Sequence, residues 1–201
     1  MPVGIPKVPF INSHGHGDDE GSWFDLNRLY RQRSLFLGQK LDSETSNHIC
    51  GLIIYLSMDD PTRDLHLFIN CPGGWMLPAI ALHDMMEEMP PDVHTICIGL
   101  AASIGSFILA SGEITKRTAF PHARVVMHQP VCDIYNKSGS GEFIMEINEI
   151  TKLRDSLIQL YAKKTNRPTW VISEDLDRDA VFTVEQAQAH GIIDEIGRGI
   201  L

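Results

Sequence analysis

Short apolar segments alternate with helix-like segments between residues 65 and 128, and this alternation restricts the fold more than any other feature. The apolar segments have the length and composition of buried strands: LHLFIN at 65–70, VHTICIGL at 93–100 and ARVVMH at 123–128. The segments between them predict helices near 78–89 and over 101–111. Strands joined through a helix run parallel with a right-handed crossover, so the sequence predicts an α/β fold.

Further helices are predicted on both sides of this region. Residues 42–60 begin with cap-type residues and carry a helical apolar stripe, and the last helix opens on a capping box at Thr183 and ends at Gly191. Residues 141–168 predict a helix that is long for a globular domain and ends at Pro168. A helix of this length after a completed sheet favours contact with another subunit.

The composition argues against several classes of protein. A net charge of −9 disfavours nucleic acid as a main partner, because phosphate binding needs clustered Lys and Arg. No apolar run approaches the ~20 residues that span a membrane. The start, MPVGIPKVPF, lacks the pattern of a targeting peptide, so we expect the chain to stay where it is made or to be already processed. Residues 1–21 predict a mobile arm, and residues 22–201 a single domain.

The cysteines and the N-terminal histidines predict neither a disulfide framework nor a metal centre. The cysteines are far apart and form no C-x-x-C pair, which favours free thiols in a reducing compartment (Cys50, Cys71, Cys97 and Cys132). His14 and His16 favour a solvated loop, because no further ligands follow at a suitable spacing. The sequence therefore predicts no metal and no cofactor.

Three kinds of chemically useful residue follow the predicted strands. Pro72-Gly73-Gly74 follows the first strand, Ser103 the second, and His128 ends the third. In an open α/β sheet, ligands bind beyond the carboxyl ends of the strands, so these residues are expected at one edge. Each also has an ordinary interpretation as a tight turn, a helix cap or a half-buried histidine. Their joint arrival at one edge favours a functional site.

The functional interpretation gives these residues complementary roles. A serine hydroxyl needs an adjacent base to become a nucleophile, and the imidazole of His128 is suited to that task. Glycines leave backbone N–H groups accessible, as an oxyanion hole requires. Small residues around Ser103 would let a substrate backbone approach, whereas Ser106 and Ser111 lie further from the strand–helix junction. The segment Ala101 to Gly105 is similar to a nucleophile elbow, with Ala in place of the first Gly.

A serine–histidine pair needs a carboxylate that orients the imidazole. The candidates after His128 are Asp133, Glu142, the carboxylates of the long helix, and the acidic cluster Glu174, Asp175, Asp177 and Asp179. Helical carboxylates are expected to be solvated, and the pattern alone does not choose within SEDLDRD.

Four motifs in order, FINCPGGW, GLAASIGSFIL, RVVMHQP and DRDAVFTVEQAQAHGIID, resemble the family of proteolytic subunits of the ATP-dependent Clp protease, ClpP. The resemblance extends from about residue 24 to residue 196, and MPVGIPKVPF and GEITKRTAFPHARV are similar to the plastid-encoded form of land plants. It implies the ClpP/crotonase superhelix of repeated strand–strand–helix units, with a protruding helical handle at about 133–165.

The resemblance also implies roles for individual residues. It gives Ser103 as nucleophile, His128 as base, Asp179 as acid, and the backbone N–H groups of Gly74 and Ile104 as the oxyanion hole. Arg178 corresponds to a residue that contacts the second of two stacked rings.

A homo- or hetero-oligomeric double heptamer of Clp subunits is implied, together with an AAA+ unfoldase and unfolded polypeptide substrates. The chain has no G-x-x-x-x-G-K-[ST] phosphate loop of its own, so it cannot itself couple ATP hydrolysis to unfolding.

The sequence departs from the family pattern at three places. Cys71 replaces the usual serine before the glycines, which should leave their N–H groups intact. VCDIYNKSG replaces the glycine-rich continuation after the histidine motif, and His66 replaces an aromatic residue of the unfoldase-docking groove.

These features together predict a serine endopeptidase that cleaves unfolded polypeptides within a closed chamber, located in the chloroplast stroma or in a bacterial or cyanobacterial cytoplasm. The alternatives are a non-catalytic ring subunit and a crotonase-like acyl-CoA enzyme. The sequence contains no basic cluster that would mark a CoA phosphate site.

Overall fold

A computed structural model describes residues 8–10, 22–24, 27–129 and 140–197. Most of the predicted arm, the start of the predicted handle and Cys132 lie outside the described residues. The helices are α1 (Asn27–Arg31), α2 (Ser43–Asp59), α3 (Met76–Glu88), α4 (Ile104–Ala110), α5 (Ser140–Thr165), α6 (Thr169–Asp177) and α7 (Val184–His190). The strands are β1 (Val8–Phe10), β2 (Ser22–Phe24), β3 (Ser34–Leu37), β4 (Leu65–Cys71), β5 (Val93–Ala102), β6 (Arg117–Ala119), β7 (Arg124–Val126), β8 (Val181–Phe182) and β9 (Glu195–Ile196).

The main sheet has the strand order β3-β4-β5-β6-β9, and all of these neighbours are parallel. The predicted α/β fold with parallel crossovers is therefore confirmed. β7 also pairs with β5, in parallel, and β8 pairs with β7 in antiparallel orientation. β1 and β2 form a separate antiparallel pair.

Strand β5 has two different neighbours along one side, and this positions the carboxyl edge of the sheet. Its first half pairs with β6 through Thr95 to Cys97, and its last residues pair with β7 through Leu100 to Ala102. The end of β5 therefore lies directly beside the end of β7. Because the two strands are parallel, the residues that follow them emerge at the same edge.

Local signals account for the start of α2 and for both ends of α7. The Asp42 side chain accepts the Thr45 N–H at the start of α2, and the capping box predicted at Thr183 is present at the start of α7. Gly191 ends α7 in the left-handed conformation. The apolar stripe of α2 faces the core, where Ile49, Ile53 and Leu56 are buried.

The structure differs from the sequence prediction at several elements. Ala101 and Ala102 end β5 instead of beginning the helix predicted over 101–111, and the short strands β1, β2, β8 and β9 were not predicted. The long helix ends at Thr165 rather than at Pro168, and Pro168 instead precedes α6, which was not predicted. Strand β6 was also not predicted, because a three-residue strand with the sequence RTA carries no apolar run. Its Arg117 is buried although it is charged, and the guanidinium forms a salt bridge with Asp194.

The core lies between the sheet and helices α2 to α5. Helix α4 packs on β4 and β5 and contacts α3 and α5. His83 of α3 lies within this core, where its Nδ1 is 2.9 Å from Ser111 Oγ and its ring packs on Phe107. Burial lowers the pKa of His83, and burial likewise lowers the pKa values of His66 and His94.

Protonation of His83 is therefore expected to destabilise the fold in mild acid. A histidine whose pKa is lower in the folded state binds fewer protons there, so its contribution is complete above the unfolded pKa of about 6.5 and is lost as the pH falls below it. We expect the thermal unfolding midpoint to fall between pH 7.5 and pH 5.5, and to fall less in His83→Asn, which retains a polar partner for Ser111. An unchanged pH dependence in this variant would contradict the assignment.

Candidate active site

The carboxyl ends of four strands meet at one open cavity. Its volume is about 440 Å³ and it is lined by Lys40, Pro72, Gly73, Gly74, Ala102, Ser103, Val126 and His128. These residues follow or end strands β3, β4, β5 and β7. The glycine pair, serine and histidine that the sequence predicted at one edge of the sheet are thus brought together.

Ser103 has an unusual backbone conformation at the junction between β5 and α4. Its φ of 52° and ψ of −120° lie where non-glycine residues are strained. It occupies the N-cap position of α4, but its side chain makes no cap hydrogen bond. The hydroxyl is therefore not explained as a helix cap, and the junction has the strained strand-to-helix turn of a nucleophile elbow.

Gly73 is required by its backbone conformation, and Gly74 by the close approach of neighbouring backbone. Gly73 has a φ of 131°, and a Cβ there would lie 3.3 Å from Ser103 Cβ and 3.7 Å from Ser103 Oγ. A Cβ on Gly74 would collide with the carbonyl of Leu41. The glycine turn therefore lies directly against the serine, as access to the hydroxyl requires.

The two backbone N–H groups predicted for the oxyanion hole belong to the glycine turn and to the first residue of α4. The N–H of Leu41 donates to Gly73 O and the N–H of Trp75 donates to Leu41 O, each at 2.9 Å. Because Leu41 bonds to the residues on either side of Gly74, the N–H of Gly74 points away from Leu41. Ile104 begins α4, so its N–H has no helical carbonyl to bond. Both N–H groups have the chemistry of oxyanion-hole donors.

The imidazole of His128 lies near the predicted acid but does not yet bond the serine. Its Nε2 is 3.5 Å from Asp179 Oδ1, and the two side chains are 36% and 59% exposed. Between these described residues, no hydrogen bond joins Ser103 Oγ to His128. Catalytic hydrogen bonds are often long before substrate binds. The nitrogen that faces Asp179 is Nε2, whereas in a serine–histidine–aspartate triad the carboxylate holds Nδ1 and Nε2 faces the hydroxyl, so the imidazole must turn before these side chains form a triad.

Backbone hydrogen bonds tie the three segments of this site together. The N–H of Ser103 donates to Val126 O at 2.8 Å, and the N–H of Met127 donates to Ala180 O at 2.9 Å. The two residues before His128 thus bond to Ser103 on one side and, on the other, to Ala180, which follows Asp179. Asp179 itself has a φ of 53°, in the left-handed region.

Asp175 is buried, and the sequence pattern did not separate it from the other carboxylates of the acidic cluster. Its side chain is 3% exposed; Oδ1 accepts Arg178 Nε at 3.1 Å and Nη2 at 2.5 Å, and Oδ2 lies 2.6 Å from His190 Nε2. Its carbonyl accepts the N–H of Ala180. Asp175 therefore braces the turn that carries Asp179. Arg178 is bound within its own chain, and its role in a ring contact stays a prediction.

The hydroxyl groups of the other two serines, one within α4 and one at its C-cap, already make hydrogen bonds within the chain. Ser106 and Ser111 are both buried, and Ser106 Oγ donates to Ser103 O and lies 2.7 Å from Tyr161 Oη. Ser111 Oγ donates to Phe107 O. Burial raises the pKa of Tyr161, so this phenol remains neutral and serves packing.

Lys40 is a cavity residue that the sequence analysis missed. It follows β3 at the same edge of the sheet as Gly73, so the rule that ligands bind beyond strand ends could have found it. Its neighbour Leu41 is the residue bridged to the glycine turn.

Neither a metal-binding cluster nor a membrane-spanning helix occurs among the described residues. No group of three His, Cys, Asp or Glu side chains that could hold a metal occurs in the described ranges. Cys50, Cys71 and Cys97 are free thiols. None of the described helices is both long and apolar enough to cross a membrane.

The family model for Clp protease matches residues 17–199. The chain belongs to the Clp protease family. The resemblance seen in the sequence motifs is thereby confirmed, and the α/β architecture described above is a Clp protease fold.

Several curated relatives in the Clp protease family are similar over nearly their whole length. The ATP-dependent Clp protease proteolytic subunit of Acorus calamus is 56% identical, covering 98% of this chain and 96% of the relative. The subunit of the same name from Drimys granadensis is 57% identical, with the same coverage. That of Spinacia oleracea is 56% identical, covering 96% and 97%.

Proposed function

We propose that this Clp protease chain is a serine endopeptidase that hydrolyses unfolded polypeptides to short peptides inside a ring-shaped chamber. One observation carries the proposal: the strained Ser103 lies against a glycine turn, in the same cavity as His128. Asp179 lies behind that imidazole at 3.5 Å. A nucleophile, a base, an acid and free N–H groups are the parts that acyl transfer needs.

The proposed reaction follows from this arrangement. His128 takes the proton of the Ser103 hydroxyl as the oxygen attacks the scissile carbonyl, and the N–H groups of Gly74 and Ile104 bind the oxyanion that forms. The imidazolium then protonates the departing amine, which leaves an acyl-serine. Water then attacks the acyl carbonyl while His128 takes its proton, and the imidazolium returns that proton to the Ser103 oxygen as the second peptide leaves. Asp179 orients the imidazole and stabilises its positive charge throughout.

Oligomeric assembly accords with the surface of α5. Four large apolar side chains near its start are exposed, between 39% and 62% (Phe143, Ile144, Met145 and Ile147), whereas Leu157 further along is buried. Contiguous exposed apolar side chains mark an interface. In the proposed double heptamer, homomeric or with Clp paralogues, this handle and Arg178 would contact the second ring and would shield the His128–Asp179 pair from solvent.

The proposed partner is an AAA+ unfoldase, and the proposed location is the chloroplast stroma. Relatives in this family are named ATP-dependent, whereas this sequence has no phosphate loop. An extended substrate beside Gly74 must already be unfolded. Land-plant relatives support the stroma.

Access to the chamber can be tested without ATP or partner. The purified particle is expected to hydrolyse a short fluorogenic peptide and to leave a stable folded protein intact for hours. Loss of the folded protein at a rate near that of the peptide would contradict gated access. A particle inert toward every peptide would indicate the non-catalytic ring subunit, and acyl-CoA turnover would indicate the crotonase-like alternative.

A further inference from the structure

Lys40 supplies a fixed positive charge to the candidate active site. It lines the same cavity as Ser103 and His128, and its side chain is exposed. The remaining described lining residues are neutral apart from the imidazole, and none is acidic. A substrate in this cavity therefore meets a single ammonium group close to the hydroxyl that attacks it.

The charge of Lys40 is not neutralised within the described part of the chain. Each of the other lysines whose side chains the structure describes makes an ion pair (Lys116, Lys152, Lys163 and Lys164). The nearest acid in sequence, Asp42, uses its Oδ1 to accept the Thr45 N–H at 2.8 Å and makes no ion pair with Lys40. Among the lysines whose side chains are described, Lys40 is thus the one without an ion pair.

The backbone beside Lys40 is held rigidly relative to the nucleophile. Leu41 is bonded on both sides to the glycine turn, through Gly73 O and the Trp75 N–H. A Cβ on Gly73 would contact Ser103. A short path of backbone contacts therefore links Lys40 to the serine, which fixes the point from which its side chain extends beside the cavity.

We propose that Lys40 is a specificity residue that favours substrates with an acidic side chain near the scissile bond. The inference rests on the peptidase function proposed above and adds a substrate class to it. An ammonium group that has no internal partner gains one from a substrate carboxylate, at no cost of breaking an existing ion pair. A partly exposed pair of this kind corresponds to about a two- to fivefold change in kcat/KM, screened by salt.

The test uses pairs of fluorogenic peptides that differ only by Glu or Gln, placed in turn at each position on either side of the cleaved bond. For wild-type protein we expect kcat/KM to be about two- to fivefold higher for the Glu peptide at one or more positions. Lys40→Gln should bring that ratio to about one. Lys40→Glu should reverse it and favour a Lys peptide instead. Arg63→Glu is the matched control, because it changes the net charge equally from the far end of β4 and should retain the wild-type ratio.

The outcomes separate this inference from the function on which it rests. Efficient cleavage with equal Glu and Gln ratios at every position would overturn the role of Lys40 and leave the peptidase function standing. A ratio that Lys40→Glu does not change, or that Arg63→Glu changes as strongly, would also overturn it. Failure to cleave any peptide, with no labelling of Ser103 by a fluorophosphonate, would remove the peptidase function and this inference with it.

Discussion

Ser103→Ala is expected to lower kcat for peptide hydrolysis by about 10⁶-fold, because removing the nucleophile of a serine protease leaves only binding and the oxyanion hole. The same change should abolish labelling by a fluorophosphonate. The label must be located by fragmentation of the modified peptide, since no Lys or Arg lies between residues 63 and 116 and trypsin leaves three candidate serines together.

Ser111→Ala is the matched control for this experiment. It removes a buried hydroxyl just after the same helix, one that donates to Phe107 O and faces His83 rather than the cavity. We expect this variant to retain labelling and most of its peptidase activity. Modification at Ser106 or Ser111 in the wild-type protein would contradict the assignment of the nucleophile.

Asp179→Asn is expected to lower kcat by about 10⁴-fold with little change in KM, because an amide no longer holds the imidazole in the productive tautomer. The side chain of Asp179 is 59% exposed, so the thermal unfolding midpoint should change little. Loss of activity at unchanged stability is the result that identifies a catalytic acid. Activity within a few-fold of wild type would exclude Asp179 from that role.

Two neighbouring carboxylates provide the comparison. Glu174→Gln removes one charge from the exposed surface of α6, the helix before Asp179. It should have little effect on kcat or on the thermal unfolding midpoint. Asp175→Asn should behave differently, because this side chain is buried between Arg178 and His190. Removing a buried partner costs about 1–3 kcal/mol, so this variant should lower the unfolding midpoint and, through the turn it braces, the activity.

The sequence predicted the part of the site that apolar patterning controls. β4 and β5 have continuous apolar runs, so their ends, and with them Gly73 and Ser103, could be placed at one edge of the sheet. β7 was found for the same reason, and its pairing with the end of β5 brings His128 to the cavity. These predictions needed only the period of the pattern and the parallel rule.

The sequence did not predict the parts that depend on charged residues. Asp175 is one member of an acidic cluster within which the pattern did not choose, yet it lies three residues after Ile172 and one before Leu176, both buried. That spacing places it on the inner face of α6 and could have revealed its burial. Lys40 lies in a loop without periodicity, so only its position after a strand could have identified it.

The strand pairing that completes the site also determines when it can form during translation. β7 pairs with β8 only after the whole of α5 and α6 has been made, and Asp179 lies in the segment just before β8. A ribosome-bound chain that has exposed Ser103 and His128 therefore still lacks both the acid and the Ala180 carbonyl that accepts the Met127 N–H. Contacts of such large sequence separation form late in folding. The proposed triad is therefore incomplete in the nascent polypeptide until the chain is nearly finished.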